Sequence, residues 1–169
     1  MEKYLQQTKS DCIKIVLYGP ESTGKSTLAK QLAEYYKTDF VQEYAREYLQ
    51  KKYDQFGLIC ELNDILPIAK GQMNLENNAT KNNSLIFCDT NLLTTMVYSK
   101  IYFNYCDPIL ERCARSNFYD IYLLMDISTS NLLVFTLYTI FPYKQTPILS
   151  PWFLVIFLLM NHKLTLNMD

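Results

Sequence analysis

An α/β fold built on a parallel sheet with helices on both faces is predicted by three observations. Short apolar runs alternate with helix-periodic segments, each run ends in a polar residue or glycine, and the first run opens into a glycine-containing loop followed by a helix. That first run, CIKIVLY over residues 12–18, is rich in β-branched residues and stops at Gly19, the pattern of a buried parallel strand feeding a tight turn. From Lys25 to Lys37, Leu28, Ala29, Leu32, Ala33 and Tyr36 recur at steps of three and four, which predicts a helix with one buried face. A second strand is expected over Asp39 to Tyr44, then a helix through Leu49. The helical stretch from Glu61 to about Lys81 contains Pro67 and Gly71, so a kink or two separate helices are expected there; its Asn-rich end, ENNATKNN, reads as a loop. SLIFCD, residues 84–89, is a third strand ending in a carboxylate, with Thr90 as the expected cap of a helix running through Met96, Val97 and Ile101. Asp107-Pro108 opens a further helix to about Asn117, and YDIYLLMD, residues 119–126, is a fourth strand. The ends of the four strands thus carry Gly19, Glu43, Asp89 and Asp126, and the strand bearing Asp89 is expected beside the first.

Composition narrows the function classes. A chain of 169 residues suits one domain. Sixteen Lys and Arg against 17 Asp and Glu leave a formal charge of −1, so no basic field favours nucleic acid or an anionic membrane, and a small-molecule partner is expected. At 49% apolar and 20% charged residues, without the ~18-residue apolar run a spanning helix needs, the chain reads as globular with no membrane span. Cys12, Cys60, Cys88, Cys106 and Cys113 are odd in number and contain no CxxC pair, which argues against a disulfide framework or a zinc site. Together with a polar N-terminus lacking an apolar leader core, they predict a cytoplasmic, reducing location. The single histidine, His162, disfavours histidine-based catalysis.

The composition changes after Asp126. Residues 1–126 form the expected core domain, whereas residues 127–169 hold only Lys144, Lys163 and Asp169 as charges and contain no Gly, Ala, Glu or Arg. The C-terminal part is therefore read as atypical or truncated for this fold. A shifted reading frame, a buried strand pair and a membrane anchor are three accounts of it; the apolar stretches around Leu132 to Phe141 and Trp152 to Met160 are only about half the length of a spanning helix.

The segment Gly19-Pro20-Glu21-Ser22-Thr23-Gly24-Lys25-Ser26 matches GxxxxGK[ST] at every fixed position and sits between a predicted strand and a predicted helix. This is the phosphate loop of the P-loop NTPases. Backbone N–H groups from Gly19 to Thr27, through Glu21, Ser22, Thr23 and Gly24, with the positive end of the helix dipole, are expected to hold the phosphates of ATP. Lys25 would reach the β- and γ-phosphate oxygens and Ser26 would ligate Mg²⁺. Asp89 emerges at the same sheet edge and is the Walker B candidate, a second metal ligand; a helix cap or solvated acid is the other reading of it. Glu43, at the end of the second strand, is placed to accept a proton from a substrate hydroxyl, with Arg46 and Tyr44 beside it as substrate-binding candidates. An exposed helix face is the alternative for Glu43 and Arg46. The catalytic candidates are thus Lys25, Glu43 and Asp89.

In order along the chain, GPESTGKST, QEYAREYL, IAKGQMNLE, FCDTNLLTT and YDIYLLMDI resemble the nicotinamide riboside kinase domain of bacterial bifunctional NAD biosynthesis proteins and the standalone P-loop ATPases and kinases related to it. The resemblance covers residues 12–127, and EYAREY with FCDT is more specific than the phosphate loop alone. It implies an ATP-dependent kinase acting on the 5′ hydroxyl of nicotinamide riboside or a similar nucleoside. Lys25 and Ser26 would then lie at the nucleotide, Asp89 and Glu43 near substrate or metal, and Arg46 would support them. Two departures stand out: no adenylyltransferase domain precedes the kinase-like region, and the acidic, Arg-containing lid expected after the fourth strand has no counterpart. An ATP-binding module without efficient turnover is therefore the alternative expectation. No NKxD guanine motif is present, which disfavours a GTPase.

Overall fold

The computed structural model describes residues 1–125 and 136–138; Asp126, and with it most of the atypical C-terminal segment, lies outside the described residues. In chain order the main elements are β1 (Ile13–Tyr18), α1 (Lys25–Tyr36), β2 (Asp39–Val41), α2 (Tyr44–Phe56), α3 (Ile65–Ala79), β3 (Leu85–Cys88), α4 (Leu92–Phe103), α5 (Pro108–Ser116), β4 (Ile121–Leu124) and β5 (Thr136–Tyr138). They form one sheet of order β2-β3-β1-β4-β5. The first four strands are parallel, and β5 adds to β4 antiparallel. As expected from sequence, the strand that leads to Asp89 is the neighbour of the one that feeds the glycine loop, with Val16 opposite Cys88.

Alternation along the strands explains why both faces are covered. On one face Val16, Val41, Ile86 and Cys88 pack with Leu75 and Ala79 of α3. On the other, Leu17 and Phe87 pack with Ala29 and Ala33 of α1. Both faces of β1 and β3 are covered by helices, so apart from Lys14 these strands carry apolar or aromatic side chains in an unbroken run, as buried parallel strands do. A third cluster, with Leu5, Ala69, Met73, Leu92, Met96 and Leu110, joins α3, α4 and α5 beside the sheet.

Three local expectations are corrected. The second strand stops at Val41, and Tyr44 is already the first residue of α2. Pro67 and Gly71 do not break the third helix: a 3-10 turn at Leu62–Asp64 precedes one α-helix from Ile65 to Ala79. Pro67 lies in its first turn, where backbone N–H groups have no intrahelical acceptor and a missing donor costs nothing. Gly71 is required by a neighbour. A Cβ there would stand 2.0 Å from the Tyr44 ring, so that ring lies directly on the α3 backbone. The cap of α4 is Asn91, whose side chain accepts from the N–H groups of Leu93 (3.0 Å) and Thr94 (3.3 Å). Thr90 stands one residue outside the helix, at φ 125°, with a buried hydroxyl that finds no partner among the described residues.

Ion pairing fixes α2 to the start of α3. Asp64 accepts from Lys52 (2.6 Å), from the Tyr48 hydroxyl (3.1 Å) and from the Glu61 backbone N–H (2.7 Å). This clamp orients the helix that begins immediately after Glu43.

Candidate functional site

The parallel strands end in step. The Asp89 N–H donates to the Val41 carbonyl (2.9 Å) and the Met125 N–H to the Tyr18 carbonyl (2.7 Å), so the residues following β1, β2 and β3 emerge at one carboxyl edge. Gly19, directly after β1, adopts φ 147°, and a Cβ on it would meet the Met125 carbonyl oxygen at 2.5 Å. Both the dihedral and the space demand glycine. Ser22 at φ 60° and Gly24 at φ 82° turn the loop so that α1 begins at Lys25, and the Thr23 hydroxyl donates to the Pro20 carbonyl (2.8 Å). The outcome is a turn of Gly19 to Gly24 wrapped against a helix N-terminus, where free backbone N–H groups and the helix dipole favour an anion.

Lys25 folds over this turn, and its ammonium donates to the carbonyls of Gly19 (2.9 Å) and Pro20 (2.6 Å). Its burial pulls its pKa below the ordinary lysine value, while the nearby carboxylates of Asp89, Glu43 and Glu21 oppose that shift. Asp89 is buried, at 3% exposure, and burial raises its pKa; the Ser26 hydroxyl as hydrogen-bonding neighbour, Lys25 and Arg46 work in the other direction. Glu43 is likewise raised by burial and by the Asp89 charge, with Arg46 and Lys25 lowering it. Arg46 reaches Glu43 at 3.3 Å across one helical turn, with its own side chain mostly exposed. Lys25, Glu43, Arg46 and Asp89, drawn from three separate stretches of sequence, thus lie near enough to shift one another's charge beside the glycine turn, with Ser26 next to Asp89.

Glu21, Ser22 and Thr27 lie on the exposed rim of the same turn. Tyr44 is directed elsewhere: its backbone N–H is held by the Gln72 side chain (2.8 Å) and its ring rests on Gly71. It heads an open groove of about 510 Å³ along α2, shared with Tyr48, Lys52, Phe56, Leu58 and Asp64, which carries no residue of the glycine turn. Tyr98 on α4, unremarked in the sequence, has its phenol raised to a pKa of about 12 by burial, with the charges of Glu21 and Glu43 adding to it. Its position seven residues beyond Asn91, on one helical face with it, is the only signal the sequence offered.

The donor set suits a hard, oxygen-seeking cation. Ser26 and Asp89 offer a hydroxyl and a carboxylate side by side, and among the described residues no group of three or more His, Cys, Asp or Glu side chains is assembled as a metal cage. Mg²⁺ is held in this sparse manner, with phosphate oxygens and waters completing its shell. No described helix is long and apolar enough to cross a membrane.

Comparison with known proteins bears out the resemblance and the fold. The chain is 28% identical over 116 residues to the trifunctional NAD biosynthesis/regulator protein NadR of Escherichia coli (strain K12), an alignment covering 68% of this chain and 28% of that protein. NadR of Salmonella typhimurium matches to the same extent. The chain thus spans about 28% of the length of these relatives. A crystal structure of NadR in complex with NR superposes with a TM-score of 0.58 at 27% identity, covering 67% of this chain and 33% of that one. A second, of NadR with NAD and AMP-PNP, gives 0.57 at 26% identity, with 67% and 34% coverage. Thymidylate kinase from Ehrlichia chaffeensis, at 14% identity and a TM-score of 0.52, covers 69% of this chain and 77% of its own and shows the same P-loop fold. The family described as an AAA domain matches residues 14–132, more than half of the chain, and the protein belongs to that family.

Proposed function

We propose that this protein is an ATP-dependent small-molecule kinase acting on nicotinamide riboside or a similar nucleoside. One observation carries the reading: Lys25, Ser26, Glu43, Arg46 and Asp89 converge beside a phosphate loop in a fold shared with NadR, which is known in complex with NR and with AMP-PNP. Backbone N–H groups of the turn bind the nucleotide phosphates, and Lys25 exchanges its two loop carbonyls for phosphate oxygens. A magnesium ion held by Ser26 and Asp89 would neutralise charge on the transferred phosphoryl group. Glu43 acts on the acceptor: its raised pKa makes it a better proton acceptor than an ordinary surface carboxylate, suited to take the hydroxyl proton as the oxygen attacks. Arg46 keeps Glu43 ionised and offers a cation at the exposed mouth.

Riboside-dependent ADP release tests the proposal. The wild type is expected to release ADP only when the riboside is supplied, and Lys25→Ala to lose about 10²–10³-fold in turnover while circular dichroism remains native, because Lys25 answers phosphate charge and lies outside the apolar core. Equal turnover and nucleotide affinity in a folded Lys25→Ala protein would refute the phosphate-loop assignment.

One observation favours a second reading, a nucleotide-binding module with slow turnover. The chain has three arginines. Arg112 is committed to Glu2 (2.9 Å) and Arg115 to Glu111 (2.7 Å), which leaves Arg46 alone near the cluster. An arginine that stabilises the transferred phosphoryl group is worth about 10³–10⁵ in rate. Tight nucleotide binding with no riboside-dependent ADP release would select this reading.

A further inference from the structure

Only three residues, Asp89, Thr90 and Asn91, connect β3 to α4, and all three are buried polar side chains. Two of them are tied down. The Asp89 N–H donates to the Val41 carbonyl (2.9 Å) and so continues the sheet, whereas the Asn91 side chain accepts from the N–H groups of Leu93 and Thr94 and so caps the helix. Thr90, between them, takes no backbone hydrogen bond among the described residues. Its φ of 125° is one that glycine adopts freely and a β-branched residue adopts only under strain. Its hydroxyl is buried and finds no partner among the described residues.

The outlying backbone angle and the unpaired buried hydroxyl each cost stability. The turn alone does not account for them. Glycine would make it without strain, as Gly19 and Gly24 do in the phosphate loop at the same sheet edge. Among the described residues one other buried side-chain atom lacks a partner, the hydroxyl of Tyr18, the residue before Gly19. The pairing of β1 with β3, with Val16 opposite Cys88, brings the ends of these two strands side by side. The unsatisfied side chains thus collect at the strand ends that carry the phosphate loop and Asp89, and not elsewhere in the described core.

We infer that Thr90 is a positioning residue for Asp89, holding the end of β3 under strain that is released when a nucleotide and its cation draw on the Asp89 carboxylate. The sheet fixes the chain on one side of Thr90 and the α4 cap fixes it on the other, so a rotation of Asp89 is taken up at the one unanchored residue between them. This inference rests on the nucleotide-binding reading above and adds to it a residue outside the phosphate loop that tunes the affinity. Backbone strain of this kind, released on binding, is worth about 5- to 150-fold in affinity.

The test uses the full chain and AMP-PNP as the probe, with Mg²⁺ or with EDTA. Two quantities are read: the calorimetric affinity, and the melting temperature of the protein without nucleotide. Thr90→Gly, free of both the strain and the hydroxyl, is expected to melt about 2–8 °C above wild type. It is also expected to bind AMP-PNP with Mg²⁺ about tenfold more weakly, with the affinity in EDTA unchanged, because the loss passes through Asp89 and not through the phosphate loop. Thr90→Ser keeps the hydroxyl and the strained backbone, and is expected to stay within a fewfold of the wild-type affinity. A lower melting temperature in Thr90→Gly, an unchanged affinity with Mg²⁺, or an equal loss with and without Mg²⁺ would overturn the inference and leave the nucleotide reading intact. Failure of the wild type itself to bind AMP-PNP would overturn both.

Discussion

Glu76 and Glu43 are both carboxylates withdrawn from water, and the protein holds them in opposite ways. Glu76, fully buried in α3, has both oxygens satisfied: Gln7 Nε2 and the Tyr119 hydroxyl each donate at 2.6 Å. Glu43 receives one contact, from Arg46 at 3.3 Å, and although it occupies the cap position of α2 its side chain caps nothing. Burial raises the pKa of both. The two lysines contrast in the same way. Lys52 is pinned between the carboxylates of Asp64 and Glu61, which raise its pKa, whereas Lys25 donates only to neutral carbonyls and is lowered. A buried charge whose partners are complete tells of structure. One whose burial is left uncompensated tells of a group still to arrive, since leaving it so costs stability that folding alone does not repay.

The sharpest way to break this contrast is to neutralise each glutamate without changing its shape. Glu43→Gln is expected to lower kcat by about 10²–10⁴-fold with ADP affinity unchanged, as removal of a general base does. Glu76→Gln, more deeply buried and equally deprived of charge, is expected to leave kcat near wild type. Steady-state kinetics on the two proteins decides, and a Glu43→Gln enzyme of full activity would reduce Glu43 to a structural acid.

A smaller effect separates the two sides of α2. Gly71→Ala is expected to destabilise the fold by about 1–3 kcal/mol, because the added methyl must displace the Tyr44 ring from the α3 backbone. Urea titration monitored by circular dichroism measures it. Since Tyr44 stands apart from the charged cluster, nucleotide affinity should survive the change; its loss would mean that Tyr44 belongs to the site after all.

The smallest expected effect is a shift in pH dependence. Glu43 must be ionised to accept a proton, so activity is present above its pKa and lost as pH falls through it; with that pKa raised by burial, the acid limb of kcat should lie higher than an ordinary exposed glutamate would set it. The Arg46 cation lowers the pKa of Glu43. Arg46→Ala therefore moves the limb to still higher pH. A limb that stays fixed in Arg46→Ala would show that Glu43 is not the titrating group.

Much of this protein was determined by its sequence. The strand cores, the α1 helix and the phosphate loop were legible because hydrophobic period and a contiguous glycine motif are local signals, set by sterics and backbone geometry within a few residues. The ends of β2 and α2 and the continuity of α3 through Pro67 were less legible, because a proline in a first turn and a proline in mid-helix look alike until the start of the helix is known. The placement of Gly19, Glu43 and Asp89 at one edge followed from the parallel topology, once each was assigned to a strand end.

What the tertiary structure alone decided are contacts between residues distant in sequence. Tyr44 faces Gly71 and not the charged cluster. Arg112, on α5, is spent on Glu2 at the start of the chain. Tyr119 closes its hydroxyl on Glu76 of α3, 43 residues away, and Gln7 reaches the other oxygen of the same carboxylate. No periodicity encodes such pairings, because each depends on how two independently formed elements pack, and the free energy that fixes them is that of burial and charge at the junction.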